Sequence, residues 1–358
     1  MSETLLQLEG LEKSFGGTQV LRGVDLSVRP GEFVTLLGPS GCGKTTTLRI
    51  IAGLLDPDKG RVLLDGKDIT GAAPEKRDVN TVFQNYALFP HLNVEKNISY
   101  GLRVRGVKKA EWKPKVQEML RLVQMEGHEK RMPSELSGGQ CQRIAIARAL
   151  ILEPRLLLLD EPLGALDLQL RRQMQIELKD IQKRLGIAFV YITHDQEEAL
   201  NMSDRIALMQ GGRFEQVGAP EQIYDHPANR FAAEFIGQTN MLECRVADVH
   251  GDGAMVLDYA GQRIPARRAE YAAKPGDSVC LSLRTDRLSF APAPLAGASL
   301  GGTLVEKRYA GGSMRATIRL DSGFDVLALC GSADRARGDV GSRVFLSWNP
   351  DEAPVVQA

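Results

Sequence analysis

A glycine-rich loop with the spacing of a phosphate-binding site is the clearest chemical signal in this sequence. Residues 38–45 read Gly-Pro-Ser-Gly-Cys-Gly-Lys-Thr and satisfy the pattern G-x-x-x-x-G-K-[ST] in full. In such a loop, glycines let successive backbone N–H groups point inward and surround phosphate oxygens. We therefore expect Lys44 to reach the β- and γ-phosphates of a nucleotide and Thr45 to bind Mg²⁺ through its hydroxyl.

The neighbours of this loop favour the functional interpretation. The apolar run Phe33–Leu37 predicts a buried strand before it, and Lys44–Ala52 predicts a helix whose N-terminus adds partial positive charge. The alternative, a glycine-rich turn that merely precedes a lysine, would not need this order. Cys42 is interpreted as a small spacer, a reactive thiol being its alternative. The predicted nucleotide contacts on the loop are Ser40, Gly41, Cys42, Gly43, Lys44, Thr45 and Thr46.

Two carboxylates follow a run of four leucines at residues 156–159. Asp160 fits a Mg²⁺ ligand, acting directly or through water. Glu161 is the next residue and fits a general base that polarises the attacking water. Acidic residues are also common where a strand runs out into solvent, which is the structural alternative. The complete phosphate-binding loop on the same chain favours the catalytic interpretation.

Short apolar runs and helix-like segments alternate over the first two thirds of the chain and must position these residues. Each run is almost continuously apolar, as strands buried on both faces are. Strand alternating with helix predicts an α/β domain around a mostly parallel sheet. The runs are Phe33–Leu37, Val79–Phe83, Leu156–Leu159 and Ala188–Ile192, and the helical segments include Lys44–Ala52, Gln140–Leu150 and Leu168–Arg184.

Two regions depart from this alternation. Residues from about 92 to 150 have a helical pattern, which predicts an inserted helical subdomain, with Pro114 in the first turn of one helix. After Gly237, short alternating runs separated by Gly, Asp and Pro predict a small β-barrel or sandwich. The predicted domains are therefore 1–238 and 239–358. The alternating runs include Leu242–Val246, Val279–Leu283, Ala316–Leu320 and Arg343–Ser347.

Composition excludes several classes of protein. Lys plus Arg and Asp plus Glu both total 45, so charge gives no reason to expect nucleic acid or anionic lipid as the main partner. No apolar stretch is long enough to span a bilayer, and the N-terminus lacks the features of a signal peptide. The five cysteines are scattered and form no C-x-x-C pair, which argues against a disulfide framework or zinc site and indicates a reducing cytosol.

Two further motifs resemble one known family. Residues 136–140 read Leu-Ser-Gly-Gly-Gln and precede a helix, and Thr-His-Asp at 193–195 follows the apolar run Ala188–Ile192. Together with the phosphate-binding loop and the acid pair, they resemble the nucleotide-binding subunits of ABC transporters, in which LSGGQ is the family signature. The resemblance implies the ABC type of P-loop NTPase fold, with ATP and Mg²⁺ bound between two copies of the chain.

The resemblance also implies roles for individual residues. Phe15 would stack on adenine, where Tyr is more usual, the alternative being packing within its strand pair. Gln84 would contact Mg²⁺ and the attacking water, and His194 would be the switch histidine that touches the γ-phosphate. The predicted catalytic residues are thus Lys44, Gln84, Glu161 and His194, and the predicted metal ligands are Thr45, Gln84 and Asp160.

A second set of residues would act across the dimer interface. The signature residues would contact the γ-phosphate of the partner's ATP. The loop 164–167 would cross the interface, with Gly164 where Ser is commoner. Cys141, where Gln is usual, lies outside the phosphate contacts. The interface residues predicted to bind nucleotide are Ser137, Gly138, Gly139, Gln140 and Asp167.

Within the family, the chain looks closest to the ATPase subunit of bacterial spermidine/putrescine importers. Segments 78–91, 172–178 and 193–200 carry this likeness. Relatives that import sulfate, ferric iron, sugars or aminoethylphosphonate share much of it, so the cargo stays open. The block 239–358 resembles the oligonucleotide-fold-like, TOBE-type accessory domain of these subunits.

The likeness further implies partners and location. Transmembrane permease subunits would dock at Gln84–Asn93, with Tyr86 and Phe89 as apolar anchors; ordinary core packing is the alternative for Tyr86. A solute-binding protein outside the membrane would be an indirect partner, and the chain would lie peripherally on the cytoplasmic membrane face. A soluble ABC ATPase of DNA repair or translation is disfavoured by the single cassette with a compact helical insert. A vestigial ATPase is disfavoured by the complete set of catalytic residues.

Overall fold

The structure is a computed structural model that describes residues 4–164, 166–251, 254–267, 269, 271–331 and 338–358. Within them the chain forms two units, one ending at Pro220 and the other beginning at Glu221. The first unit combines helices with two β-sheets, and the second consists mainly of β-strands. The predicted combination of α/β and all-β architecture is therefore confirmed.

From its third strand onward the first unit contains both strands and helices. Its strands are β1 (Leu6–Phe15), β2 (Thr18–Val28), β3 (Phe33–Leu37), β4 (Lys59–Leu64), β5 (Lys67–Asp68), β6 (Val79–Val82), β7 (Leu156–Asp160), β8 (Ala188–Thr193), β9 (Arg205–Gln210) and β10 (Arg213–Gly218). Its α-helices are α1 (Lys44–Ile51), α2 (Val94–Val104), α3 (Lys109–Leu122), α4 (Gly138–Leu150), α5 (Leu168–Leu185) and α6 (Gln196–Met202), and short 3₁₀ turns occur at Pro74–Lys76 and Pro133–Glu135.

The larger sheet of this unit has the strand order β10-β9-β3-β8-β7-β6. Its strands run parallel except β10, which pairs antiparallel with β9 at the edge. Every residue of β3 and β8 is buried, which explains why both appear in the sequence as almost continuously apolar runs. Because neighbouring strands are parallel, the loops that follow β3, β6, β7 and β8 leave from the same edge, where open α/β sheets bind ligands.

The smaller sheet has the order β2-β1-β4-β5 and is antiparallel. Helix α1 joins the two sheets into one hydrophobic core. Its residues Leu48 and Ile51 are fully buried in a cluster that contains Leu8 of β1 and Val34 of β3. This packing anchors the helix that begins at the end of the phosphate-binding loop.

Between β6 and β7 the described residues contain helices and no strand. Pro114 is the sixth residue of α3, so its expected position in the first turn was wrong. The N–H that proline lacks would have bonded to the carbonyl of Ala110, four residues earlier. Both residues are exposed, so water can reach that carbonyl. In the described part of the chain, no helix is long and apolar enough to cross a membrane.

The second unit contains two five-stranded antiparallel sheets, ordered β13-β12-β11-β14-β20 and β15-β19-β16-β17-β18. Their inward side chains form one hydrophobic core. The strands are β11 (Thr239–Val249), β12 (Met255–Tyr259), β13 (Gln262–Ala266), β14 (Ser278–Arg284), β15 (Ser289–Ala291), β16 (Ala298–Ala310), β17 (Ser313–Leu320), β18 (Asp325–Gly331), β19 (Arg343–Trp348) and β20 (Val355–Gln357), and the helices are α7 (Pro220–Asp225) and α8 (Arg230–Phe235).

A buried arginine ties these two helices to the strands. Arg284, at the end of β14, is 1% exposed and donates from Nη1 to the carbonyls of Ala233 and Ile236. Its Nη2 donates to the carbonyl of Tyr224 at 2.9 Å, and its guanidinium lies 4.4 Å from the Tyr224 ring centroid. The unit that begins at Glu221 therefore includes α8, which precedes the predicted boundary between residues 238 and 239; that boundary stays a prediction.

Candidate active site

Four loops at one edge of the larger sheet bring several predicted residues together. The loop after β3 leads into Lys44 and Thr45, the loop after β6 carries Gln84, the loop after β7 carries Glu161, and the loop after β8 carries His194. The parallel register of these strands places the loops side by side. Residues separated by more than a hundred positions in the sequence therefore share one site.

Close packing at one position of the phosphate-binding loop, and backbone conformation at another, favour glycine there. A Cβ on Gly38 would lie 2.2 Å from the carbonyl oxygen of Met209 in β9. A Cβ on Gly43 would lie 2.7 Å from the side chain of Leu21, and Gly43 has a φ of 115°, where other residues are strained. The conformation of this loop thus depends on glycine at both positions.

A buried cation and a helix N-terminus lie at the same loop. Lys44 is 6% exposed, and its Nζ donates to the carbonyls of Gly38 at 2.7 Å and Pro39 at 2.9 Å. Cys42 is buried, with its Sγ 3.7 Å from that Nζ. Gly43 is the N-cap of α1, and no side chain caps the helix, so its first N–H groups are not occupied by a side chain. This combination can bind an anion such as a phosphate.

Thr45 and Asp160 supply a hydroxyl and a carboxylate oxygen 3.5 Å apart. Burial raises the pKa of the Asp160 carboxyl, and the neighbouring charge of Glu161 raises it further. Among the described residues, no cluster of three or more His, Cys, Asp or Glu could hold a metal. Mg²⁺ prefers oxygen ligands and commonly keeps waters and phosphate oxygens beside one or two from the protein. The two oxygens therefore fit Mg²⁺ bound together with a nucleotide.

Glu161 contacts both Gln84 and His194. Its Oε2 accepts a hydrogen bond from Gln84 Nε2 at 3.2 Å, and its Oε1 lies 3.3 Å from His194 Nδ1. Its φ of 44° is in the left-handed region, which costs a residue with a side chain about 1–2 kcal/mol. Its N–H donates to the carbonyl of Ile192 in β8 at 3.1 Å, which helps to hold this conformation. A carboxylate, an amide and an imidazole thus meet where a water could be bound and deprotonated.

The segment that follows β6 has a strained backbone held by two helices. Tyr86 and Ala87 have φ values of 61° and 45°, which residues with side chains rarely adopt. Arg148 of α4 donates to the carbonyls of both, at 3.0 and 2.7 Å. The buried Asn97 of α2 accepts from the N–H of Phe89 at 2.9 Å and donates to its carbonyl at 3.1 Å. The position of this segment therefore depends on α2 and α4.

The two aromatic residues predicted as anchors in this segment differ in their surroundings. Tyr86 is half-buried against the core of the helical insert, and its hydroxyl has no hydrogen-bonding partner among the described residues. Phe89 packs with a tilted ring against Tyr100, which is 40% exposed, with 4.4 Å between the ring centroids. Packing, the alternative for Tyr86, is therefore observed, while docking of a partner stays a prediction.

The signature segment lies at the start of α4 and is built as a helix cap. Ser137 is the N-cap residue; its Oγ accepts from the Gln140 N–H at 3.3 Å, and the Gln140 side chain accepts from the Ser137 N–H at 3.0 Å. Gly139 is buried, and a Cβ there would lie 2.8 Å from the side chain of Leu170. In the described part of the chain, Ser137 and Gln140 make no hydrogen bond to the Glu161 site. Their contact with nucleotide held by a second copy of the chain stays a prediction.

Two other predicted residues lie apart from the Glu161 site. Phe15 ends β1 and is 48% exposed, with Lys13 Nζ 5.7 Å from its ring centroid, so its ring is available for stacking. Asp167 is the N-cap of α5 and accepts from the N–H of Leu170 at 2.9 Å. Ala165, in the loop expected to cross the interface, lies outside the described residues.

Sequence reasoning gave no role to the polar residues that hold these loops. Asn97 is fully buried on a helix face that also carries Val94 and Ile98. Its polar side chain on an apolar face was a usable signal. Arg148 and Arg171 carried no such signal, because an arginine near a helix end is most often a solvated surface residue.

Comparison with known proteins gives matches over nearly the whole chain. The spermidine/putrescine import ATP-binding protein PotA of Marinobacter nauticus is 47% identical over 328 residues, covering 92% of this chain and 88% of that protein. The family model described as ABC transporter matches residues 21–164. The chain belongs to the ABC transporter family.

Further comparisons agree with this assignment. This chain is 45% identical to PotA of Methylococcus capsulatus, and the match covers 97% of this chain and 91% of that protein. It is 44% identical to PotA 2 of Pseudomonas aeruginosa, and that match covers 100% of both proteins. The solved structure of cbiO1 from Clostridium perfringens, part of the ABC transporter complex cbiONQ, matches with a TM-score of 0.58 at 30% identity, covering 62% of this chain and 91% of that chain. The TOBE domain model matches residues 281–356. The predicted fold class is confirmed, and the chain is an ABC-type ATPase subunit.

Proposed function

We propose that this chain hydrolyses ATP to drive an importer of polyamines such as spermidine and putrescine. The likeness to proteins named for spermidine/putrescine import extends over the whole chain and not only its ATP-binding part. Hydrolysis is supported above all by one observation, the contact of Glu161 with Gln84 and His194 beside the phosphate-binding loop. Cargo is handled by other subunits, so the cargo proposal rests on the whole-chain likeness.

The phosphate-binding loop holds the substrate ATP in this proposal. Lys44 and the N–H groups at the start of α1 bind the β- and γ-phosphates, and the exposed ring of Phe15 stacks on adenine. Thr45 and Asp160 hold Mg²⁺, which when bound neutralises charge on the phosphate oxygens. Phosphoryl transfer needs little covalent chemistry from the protein, so this positioning is a large part of catalysis.

The Glu161 site activates the attacking water. The carboxylate of Glu161 accepts a proton from that water, while the Gln84 side chain orients it. In this proposal His194, whose Nδ1 lies 3.3 Å from the other carboxylate oxygen of Glu161, contacts the γ-phosphate. Burial and, secondly, the charge of Glu161 raise the pKa of Asp160, and a bound cation would stabilise its ionised carboxylate.

A second copy of the chain completes the site. Ser137 and Gly138 are exposed at the N-terminus of the 13-residue helix α4, so a hydroxyl and the helix dipole face outward. We infer that they bind the γ-phosphate of ATP held by the partner, and that Asp167 lies at the same interface. ATP then links the two copies, and hydrolysis removes the link.

The remaining partners are proposed from the family. The segment Gln84–Asn93 receives a cytoplasmic helix of the permease, with Phe89 and Tyr100 offering a partly exposed aromatic pair. An extracytoplasmic solute-binding protein delivers cargo to that permease. The chain itself is peripheral, on the cytoplasmic face of the membrane.

Uptake of labelled solutes by the source cells tests the cargo. Cells lacking the gene would be complemented with the wild type or with Glu161→Gln and supplied with spermidine, putrescine, sulfate, ferric iron, aminoethylphosphonate or maltose. We expect polyamine uptake to be lost and restored by the wild type alone. Loss of a different solute would overturn the polyamine assignment, and unchanged uptake of every solute would contradict a role in their import.

A further inference from the structure

One arginine joins the two loops that flank the candidate site. Arg171, in the first turns of α5, donates from Nη2 to the carbonyl of Leu166 at 3.1 Å, in the loop that follows Glu161. Its Nη1 lies 3.3 Å from a carboxylate oxygen of Asp195, the residue after His194. A single planar guanidinium thus bridges the loop after β7 and the loop after β8.

The buried carboxylate of Glu198 also helps to hold the loop after β8. Glu198 is 3% exposed, and its Oε1 lies 3.9 Å from Arg171 Nε. Its Oε2 accepts from the hydroxyls of Tyr191 at 2.7 Å and Thr193 at 2.6 Å. The Thr193 hydroxyl oxygen in turn accepts from the N–H of Asp195 at 3.0 Å. Residues on both sides of position 194 are therefore fixed by one connected network.

We propose that Arg171 is a positioning residue that sets the His194 loop against the Glu161 loop and so keeps the imidazole within reach of the Glu161 carboxylate. The proposal rests on the proposed ATPase roles of Glu161 and His194. Neither sequence motif nor family likeness assigned a role to Arg171.

The geometry requires an arginine here. A guanidinium is a rigid fork whose donors point in several fixed directions, so it can bond to a carbonyl and a carboxylate at once. The Arg171 side chain is 26% exposed, so its bonds are partly shielded from water, unlike those of a surface ion pair. Released from this bridge, the loop carrying His194 would keep its contacts with β8, Glu198 and the N-terminus of α6 but would lose its link to the loop after β7 through Arg171.

The neighbouring Arg172 provides a matched control. It also joins α5 to α6, pairing with Glu197 at 3.2 Å, but both side chains are more than half exposed, at 59% and 53%. Such a pair contributes little. Arg172→Gln therefore removes the same charge from the same helix without touching either loop.

The experiment uses the purified full chain and the variants Arg171→Gln, Arg172→Gln, Asp195→Asn, His194→Ala and the double variant Arg171→Gln/His194→Ala. Asp195→Asn keeps the N-cap oxygen of α6 and replaces the carboxylate oxygen that faces Arg171 by an uncharged NH2 group, which cannot accept its hydrogen bond. We expect Arg171→Gln and Asp195→Asn each to lower kcat about tenfold or more, with KM for ATP nearly unchanged. Arg172→Gln should resemble the wild type.

Two measurements distinguish a positioning effect of Arg171 on His194 from a general stabilisation of the fold. Because Arg171 acts through His194, the double variant should be no slower than His194→Ala. In nucleotide-free protein labelled at histidine, the His194 imidazole resonance, assigned by its absence in His194→Ala, should shift in Arg171→Gln and stay in place in Arg172→Gln.

Equal kcat values for Arg171→Gln and Arg172→Gln would overturn the proposal, as would an unmoved His194 resonance. Additive losses in the double variant, together with a lowered melting temperature, would show a structural role only and would also overturn it. A wild type that does not hydrolyse ATP would refute the proposed function, while the resonance would still decide whether Arg171 positions His194.

Discussion

Substitution of Arg148 by methionine is expected to release the segment that follows β6 while leaving the sheet intact. The guanidinium donates to the carbonyls of Tyr86 and Ala87 at 3.0 and 2.7 Å and lies 5.3 Å from the centroid of the Phe89 ring. Methionine is also unbranched and flexible, but it has no donor to replace these bonds.

The size of the effect follows from the two bonds and the strain that they oppose. A hydrogen bond to a charged group contributes about 1.5–3 kcal/mol, and the lower figure suits a half-buried arginine, giving about 3 kcal/mol for the pair. The left-handed conformations of Tyr86 and Ala87 cost about 1–2 kcal/mol each, so the strain is about as large as the anchoring. Since 1.4 kcal/mol is a factor of ten, losing about 3 kcal/mol should open the segment about 100 times more often.

Amide hydrogen exchange measures how often the segment that follows β6 opens. The Tyr86 and Ala87 amides each donate to a carbonyl within the segment, at 2.9 and 2.7 Å, and should exchange about 100-fold faster in Arg148→Met. Arg103→Met, an exposed change on α2, is the control and should leave them unchanged. A change below about threefold in Arg148→Met, or faster exchange throughout the buried strand β3, would refute the reasoning, because the effect must be present and local.

Three further substitutions test other parts of the structure. Asp160→Asn should stabilise the nucleotide-free protein by about 1 kcal/mol near pH 7, because burial and Glu161 disfavour the ionised carboxylate. In thermal melts the gain should vanish as pH falls through the raised pKa, where the wild-type carboxyl takes up a proton; a destabilised variant at neutral pH would contradict this. Gly38→Ala should weaken ATP binding about tenfold or more by calorimetry, because its Cβ would meet the Met209 carbonyl; unchanged affinity would show that the loop adapts. Arg284→Met should destabilise the second unit by about 3 kcal/mol in thermal unfolding, because three backbone carbonyls lose their hydrogen-bond donor. An unchanged unfolding transition would contradict a stabilising role of Arg284.

The elements that carry the site could be predicted because buried parallel strands leave a strong local pattern. The run Phe33–Leu37 coincides with β3, and the run Ala188–Ile192 covers β8 except for its last residue, Thr193. Both are buried along their whole length, so all of their residues except Thr35 and Thr193 are hydrophobic. The phosphate-binding loop was visible for a similar reason, because a Cβ on Gly38 would clash with the Met209 carbonyl oxygen and Gly43 has a positive φ.

The polar contacts between loops could not be predicted in the same way. Arg148 meets a segment about 60 residues away in the sequence, and Arg171 bridges two loops that only the parallel sheet brings together. Such pairings depend on tertiary geometry, which no local pattern records. Pro114 shows the opposite error: a local rule favoured the first turn of a helix, whereas an exposed carbonyl at Ala110 allows proline further along α3.

The comparison of wild type with Glu161→Gln tests the central claim most directly. The purified chain would be assayed for ATP binding, phosphate release and mass in solution, with ATP and Mg²⁺. We predict that Glu161→Gln binds ATP as the wild type does, loses turnover about 100-fold or more because an amide cannot accept the proton of the water, and is trapped as a dimer. Full turnover in the variant, or a monomer with ATP bound, would contradict a split site in which Glu161 is the base.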